Sequence, residues 1–70
     1  MERQGVRSSN MRSVGYDLDS MTLEIEFQDG GVYQYFNVPA HVHEDLMRAR
    51  SKGTYFHDHI KRRYRYRRVP

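Results

Sequence analysis

The residues with the clearest chemical potential lie near the end of the chain, where basic and aromatic side chains are interleaved. Six cations and two tyrosines fall within eight positions: Lys61, Arg62, Arg63, Tyr64, Arg65, Tyr66, Arg67 and Arg68. Such a run favours phosphate backbones because binding releases counterions, and a guanidinium can pair bidentately with phosphate oxygens. The tyrosines can stack on unpaired bases. The segment is a candidate nucleic-acid surface. The alternative is a solvated basic end that complements an acidic body, with its tyrosines packed on the core.

The distribution of charge sets this segment apart from the rest of the protein. The net charge is +3, but residues 1–60 carry six Lys/Arg and all nine acidic side chains, whereas residues 61–70 carry six Lys/Arg and no acidic side chain. This asymmetry, a mildly acidic body with a strongly basic end, is the most informative feature of the composition.

The four histidines offer a metal site only across two segments. His41 and His43, and likewise His57 and His59, are spaced i, i+2. On a helix this spacing turns the two side chains about 200° apart, so neither pair can chelate alone. A site would need one histidine from each pair, with Asp58 as a third ligand. We expect surface or half-buried histidines, with no bound metal and no cofactor.

Few side chains are suited to catalysis, and we do not expect the protein to be an enzyme. Ser8 and Ser9 have no strand–turn–helix elbow nearby to activate a nucleophile. Glu24 and Glu26 fall on the predicted wet face of a strand, and no glycine-rich phosphate loop is present. The absence of cysteine excludes a disulfide framework and a zinc site built on thiolates.

Three strands are predicted to form an antiparallel meander. Met21, Leu23, Ile25 and Phe27 alternate with polar residues, the period-two pattern of a strand with one buried face. Asp-Gly at 29–30 predicts a hairpin into a third strand over 32–36, and a first strand is predicted over 10–17.

Two short helices are predicted to follow. Apolar spacing predicts a helix over about 39–51 with Gly53 as its stop, and a second helix from about Thr54. Beyond it, Phe56, Ile60 and Tyr64 fit a longer helix, while the Tyr/Arg alternation fits an extended tail, which we favour. The predicted core consists of Leu23, Ile25, Phe27, Val42, Leu46, Phe56 and Ile60.

Two further binding surfaces are open to interpretation. Tyr16, Tyr33, Tyr35 and Phe36 would form a stacking platform if they lay on the sheet face away from the helices; otherwise they belong to the core. The exposed edges of a three-stranded sheet could also add a strand from a protein partner or from a second copy of the chain.

At several points the sequence resembles the KTSC domain. The similar strings are SS at 8–9, GYD at 15–17, LEIEF at 23–27, GVYQYFNVP at 31–39, ARSKGTYF at 49–56, IK at 60–61 and YRY at 64–66. The resemblance extends over about residues 6–69. The family is named for its occurrence at the C-terminus of some lysyl-tRNA synthetases and also forms short free-standing bacterial and phage proteins. The resemblance implies a small α+β module without established catalytic activity, and it suggests a nucleic-acid role by association.

The sequence therefore predicts one α+β domain over residues 10–69, preceded by a flexible leader over 1–9. Its expected architecture is a three-stranded antiparallel meander, two short helices and a basic C-terminal tail. The expected function is non-catalytic binding of nucleic acid, RNA or single strands, with protein interaction through a sheet edge as the alternative. Because no apolar run is long enough for a signal peptide or a bilayer span, we expect a cytoplasmic protein with no membrane partner.

Overall fold

The computed structural model describes the whole chain, Met1–Pro70, and contains five strands and two helices. In chain order these are β1 (Gln4–Gly5), β2 (Met11–Asp17), β3 (Thr22–Phe27), β4 (Val32–Tyr35), α1 (Ala40–Arg48), α2 (Lys52–His59) and β5 (Tyr66–Val69). The α+β class predicted from the sequence is confirmed. The predicted three-stranded meander is wrong, because β1 and β5 extend the sheet to five strands.

The sheet is antiparallel throughout, and its strands follow the chain order from β1 at one edge to β5 at the other. Both helices lie in the connection between β4 and β5. After α2 the chain returns beside β4, and the backbone N–H of Phe36 donates to the carbonyl oxygen of Arg65 at 2.9 Å. The predicted basic tail thus ends in an edge strand. The sequence fitted either a longer second helix or an extended tail for this segment, and the structure has the extended conformation.

The other edge strand lies within the predicted leader. Gln4 pairs with Val14, and Gly5 pairs with Ser13. A strand of two residues without an apolar side chain has no periodicity, so no sequence pattern indicates it. The backbone of residues 1–9 is therefore hydrogen-bonded in part to β2, while the flexibility of this segment stays a prediction.

The helices cover one face of the sheet and enclose a single core. Six of the seven predicted core residues are buried, and Phe27 is half-buried against them. Four further residues complete the buried apolar cluster: Met11, Val14, Tyr35 and Val38. Strict alternation would put Met11 on the opposite face from Val14, but a register shift between Met11 and Ser13 turns its side chain inward.

The helix boundaries differ from those predicted. α1 ends at Arg48, and α2 begins at Lys52. Gly53 is therefore in the first turn of α2 and is not the stop of α1. The Ser51 hydroxyl caps α2 by accepting a hydrogen bond from the Thr54 backbone N–H at 3.2 Å. Neither helix is long and apolar enough to cross a membrane.

The sheet face away from the helices carries a network of polar side chains. Glu24 accepts hydrogen bonds from Arg3 Nη1 at 2.5 Å and from Gln34 Nε2 at 2.8 Å, and Ser13 connects Arg3 to Glu26. Glu24 is only 5% exposed. Its burial acts to raise its pKa, but the hydrogen bonds from Gln34 and Arg3 and the charge of Arg3 together hold that pKa below the ordinary value of 4.5. Glu24, which was predicted to lie on the solvent-facing side of its strand, is thus buried within a hydrogen-bonded network.

Candidate nucleic-acid interface

The eight predicted site residues are contiguous in sequence but are divided between two faces of the sheet. Residues 61–64 form the turn after α2, and the rest lie in or beside β5. Because successive strand side chains point to opposite faces, Tyr66 and Arg68 lie on the helix-bearing face and Arg67 on the other. Arg67 Nε donates to Gln34 Oε1 at 3.1 Å in the polar network. The Arg68 guanidinium lies 5.8 Å from the centre of the Tyr33 ring.

Four of the predicted residues, Lys61, Arg62, Tyr64 and Tyr66, line a cleft of about 700 Å³ between the β4–β5 side of the sheet and the end of α2. We name it the aromatic cleft, because its walls include six aromatic side chains: Phe27, Tyr33, Tyr35, Phe56, Tyr64 and Tyr66. The other lining residues are Asn10, Lys61 and Arg62. The cleft therefore combines flat apolar walls with two cations and contains no acidic side chain.

Edge-to-face packing holds the inner rings of the cleft. Phe56, from α2, lies 5.4 Å from both Phe27 and Tyr35, with interplanar angles of 68° and 77°. The Tyr66 ring lies 5.6 Å from the Tyr35 ring and 6.0 Å from the Tyr33 ring. Phe56 and Tyr35 are buried, whereas Tyr66 is 59% exposed. Tyr66 is thus a partly free ring beside a fixed aromatic wall.

Tyr35 gives the cleft a polar group as well as a ring. The residue is 4% exposed, and its hydroxyl takes part in none of the side-chain hydrogen bonds of the protein, yet no fully buried polar atom lacks a partner. The Tyr35 hydroxyl therefore reaches solvent. Burial, followed by the nearby phenols of Tyr33 and Tyr66, raises the pKa of Tyr35 well above its ordinary value. The group stays a protonated phenol that can donate and accept a hydrogen bond.

The basic residues of this segment have no carboxylate partner. The ion pairs of the protein involve Arg3, Arg12, Arg48 and His57, and none includes a side chain between Lys61 and Arg68. All six cations of the segment are exposed. The acidic body therefore does not neutralise the basic end through direct contacts.

Comparison with known proteins identifies the family of this fold. The family model of the KTSC domain matches residues 7–70. The chain belongs to the KTSC domain family. The crystal structure of a KTSC domain protein from Yersinia pestis is similar at a TM-score of 0.96 and 43% identity, covering 99% of this chain and 97% of that one.

Relatives of this KTSC domain include both small proteins and segments of large ones. An uncharacterised protein of Stutzerimonas stutzeri is 41% identical over 70 residues, which is 99% of each chain. A lysine–tRNA ligase of Trichormus variabilis is 45% identical over 58 residues, which cover 83% of this chain but only 10% of the ligase. The resemblance inferred from the sequence is confirmed.

The histidines of this KTSC domain do not converge. His43 stacks on Tyr16 with ring centres 4.8 Å apart, His59 packs on Tyr55 at 4.5 Å, and His57 contacts Asp58 at 3.3 Å. No three histidine, cysteine or acidic side chains come together as possible metal ligands. Burial lowers the pKa of His43 below its ordinary value, and the charge of Glu44 opposes that shift. The metal site considered across the two histidine pairs is therefore not assembled.

Three of the four aromatic residues considered for a stacking platform, Tyr16, Tyr33 and Tyr35, pack on the helix-bearing side of the sheet, opposite to the face that the platform would need. Tyr33 and Tyr35 contact Phe27 and Phe56 on the helix-bearing side, and the Tyr16 hydroxyl donates to the Val38 carbonyl oxygen at 2.5 Å. A platform of all four residues away from the helices therefore does not form, and Tyr16, Tyr33 and Tyr35 belong to the core and the cleft, as the alternative interpretation held.

Sequence reasoning thus missed the cleft-lining role of several residues. Tyr33 and Tyr35 pair with Ile25 and Leu23, so they share the face of the predicted core side chains. The Asp-Gly hairpin signal was the available clue, because a tight turn fixes this register. No comparable local signal joins Phe56 to the β4–β5 edge, since that contact depends on the return of the chain after α2.

Proposed function

We propose that this KTSC domain is a non-catalytic module that binds single-stranded nucleic acid, with RNA ahead of duplex DNA. The contact surface is the basic surface, defined as Lys61, Arg62, Arg63, Arg65, Arg67 and Arg68. The observation that carries the proposal is that all six side chains are exposed and none has a carboxylate partner.

No ion pair of the protein reaches this surface, and two of the nine acidic side chains are paired on the open face of the sheet. Glu24 and Glu26 pair with Arg3 and Arg12 on the open face of the sheet. A phosphate backbone carries a condensed atmosphere of small cations, and binding to unpaired Lys and Arg side chains releases those cations into solution, which favours the complex. A polyanion is therefore the partner whose chemistry the basic surface fits.

Two features favour single strands over a duplex. Tyr64 and Tyr66 alternate with the cations, and base–aromatic stacking is worth about 1–3 kcal/mol per base when the base is unpaired. The basic surface lies on a turn and a four-residue edge strand, and neither supplies the long helix or two-stranded ribbon that reads a major groove. The similarity to a segment of a lysine–tRNA ligase supports an RNA role by association.

The test is fluorescence anisotropy with labelled single-stranded RNA, tRNA and duplex DNA across a salt series. The variant Arg62→Ala, Arg63→Ala, Arg65→Ala removes three charges without touching the Arg67–Gln34 hydrogen bond. The control variant removes three exposed cations outside the surface, Arg7→Ala, Arg48→Ala and Arg50→Ala, so the change in net charge is the same.

We expect the surface variant to bind single strands more weakly, and the slope of log K against log salt to become shallower by about 2, since each lost phosphate contact removes about 0.7. The control should stay close to the wild type. Equal losses in the two variants would reduce the effect to net charge alone, and absence of binding near physiological salt would refute the proposal.

Strand addition at the sheet edge is the alternative function. β5 is the last strand of the sheet, so its outer backbone groups have no partner strand. This function predicts peptide binding or self-association that survives both high salt and the arginine changes. Sedimentation velocity of the wild type and the surface variant at two salt concentrations distinguishes it from phosphate binding.

A further inference from the structure

The aromatic cleft is larger and more aromatic than the packing of a small core requires. Its volume of about 700 Å³ falls within the range of about 300–1,000 Å³ typical of sites for small organic molecules. The walls hold rings on several sides, and edge-to-face contacts fix the inner ones, Phe56 and Tyr35, in place. A flat aromatic group entering the cleft would meet the exposed Tyr66 ring beside these fixed rings.

The polar groups of the cleft narrow the class of ligand. Tyr35 is 4% exposed as a residue, and its hydroxyl reaches solvent without a partner in the protein, so water or a ligand must complete its hydrogen bonds. An alkyl chain would displace that water and leave the hydroxyl unpaired, at a cost that disfavours it. A planar heterocycle with donors and acceptors on its edge replaces the water instead. The ligand is therefore both flat and polar.

The charge of the cleft narrows the class of ligand further. Lys61 and Arg62 line the same cleft, and no carboxylate lies among its walls. Neither cation has an acidic partner in the protein. A ligand that complements the whole cleft thus joins a flat polar ring to a negative charge, which is the composition of a nucleotide.

We infer that the aromatic cleft receives one unstacked nucleobase of a bound single strand, while Lys61 and Arg62 contact the phosphates that flank it. The inference rests on the proposed function and adds to it a specific site. The basic surface attracts the phosphate backbone, and the cleft distinguishes a strand with accessible bases from any other polyanion.

Tyr66 is the residue through which this site can be tested with least damage to the fold. Its ring faces the cleft but is 59% exposed, so its removal leaves no large cavity. Tyr66→Thr removes the ring and keeps a residue that suits a strand. Tyr66→Phe keeps the ring and serves as the matched control. Melting curves of both variants establish that they fold.

The experiment compares two labelled ligands of equal charge at one salt concentration: a short single-stranded RNA and an inorganic polyphosphate, which has no bases. We expect Tyr66→Thr to weaken RNA binding by about 5- to 150-fold, the usual effect of losing one stacking ring, and to leave polyphosphate binding unchanged. Tyr66→Phe should bind both ligands as the wild type does. Equal losses for both ligands, or no loss for RNA, would overturn the inference while the proposed function stood. If the wild type bound neither ligand, both would fall.

A second measurement does not depend on any variant. Adenosine 5′-monophosphate, titrated into the wild type to millimolar concentration, should shift the aromatic NMR resonances of Tyr33, Phe56 and Tyr66, whereas ribose 5-phosphate should leave those rings unmoved. Unmoved rings with both ligands would overturn the inference and leave the cleft to another occupant, such as an aromatic side chain of a peptide.

Discussion

Gly15, in the middle of β2, is the position where one added methyl group should test how the N-terminal segment is held. The backbone of Glu2 and Arg3 crosses the open face of the sheet directly above it. A Cβ at residue 15 would collide with the carbonyl oxygen of Glu2 and lie 3.0 Å from Arg3 Cγ. We predict that Gly15→Ala displaces this segment and with it the guanidinium that pairs with Glu24.

The magnitude follows from the contacts that would be lost. Arg3 donates one hydrogen bond to the charged Glu24 carboxylate, worth about 1.5–3 kcal/mol, and one to the uncharged Ser13 hydroxyl, worth at most about the lower end of that range. Arg3 is part-exposed, which favours the lower values, and replacing a strand glycine by alanine returns about 0.5–1 kcal/mol. The net loss of unfolding free energy should be about 1–2 kcal/mol, which lowers the Tm of a domain this small by about 5–15 °C.

The assay is urea unfolding of four proteins: the wild type, Gly15→Ala, a chain lacking residues 2–5, and that shortened chain with Gly15→Ala. Removing Glu2 and Arg3 takes away the three atoms nearest to the added methyl group, so the substitution should be neutral or slightly stabilising there. Gly5→Ala is the control for a strand glycine, because a Cβ at that position has no atom within 4 Å. Equal destabilisation by Gly15→Ala in both backgrounds would refute the steric explanation.

Three further predictions concern stability and titration. Because the pKa of Glu24 in the folded chain lies below 4.5, its charged form contributes stability that is present above that pH and is lost as the pH falls through the folded value. Glu24→Gln should therefore reduce stability at neutral pH and flatten the loss below pH 4.5 in acid-unfolding curves; an unchanged curve would contradict this. The pKa of His43 is likewise lowered, so the fold prefers its neutral form, and an NMR titration should give a midpoint below 6.5; a midpoint at or above that value would be evidence against its burial. Leu46→Ala, in the core, should cost about 2–5 kcal/mol in urea unfolding, whereas Leu18→Ala, 66% exposed, should change it by no more than about 0.5 kcal/mol.

The elements that the sequence predicted well are those whose structure depends on neighbouring residues. Alternation over 21–28 corresponds to β3, and the Asp-Gly turn is present, with Gly30 at a φ of 94° and the Asp29 side chain accepting from the Gly31 N–H at 2.9 Å. One face of β3 packs against the core, so its period of two appears in the residue types as well as in the backbone geometry. The two helices were found for the same reason, with errors of a few residues at their ends.

β5 shows why the sheet was incomplete in the prediction. Its Tyr/Arg alternation has the same period as β3, but both kinds of side chain are polar at the tip, so the pattern does not say which face is covered. Tyr66 packs against the Tyr33 and Tyr35 rings only because β5 pairs with β4 across a connection that contains both helices. Pairing between strands so far apart in the sequence depends on the tertiary fold, and no local sequence pattern predicts it.

The candidate site was predicted in part for a related reason. The basic residues could be recognised from the sequence because charge is a property of the residue type. Their lack of acidic partners could be known only from the structure, which shows where Glu24 and Glu26 lie. The cleft joins Phe27, Tyr33 and Phe56 from three elements. Each of these aromatics is explained locally as core, and only the assembled fold leaves a space between them that the core does not fill.

Arg67 and Arg68 in β5, and Arg65 directly before it, have a second physical role, which bears on how the proposed function must be tested. An edge strand with unpaired backbone groups is prone to pair with another copy, and charged side chains are a common protection against it. Alanine substitutions there remove phosphate contacts and this protection together. Self-association would then mimic a loss of RNA binding, but it would grow with protein concentration and with salt. The affinity that comes from phosphate contacts falls as the salt concentration rises, and its value does not depend on the protein concentration. A loss of affinity that is the same at two protein concentrations is thus the result that assigns the arginines to RNA.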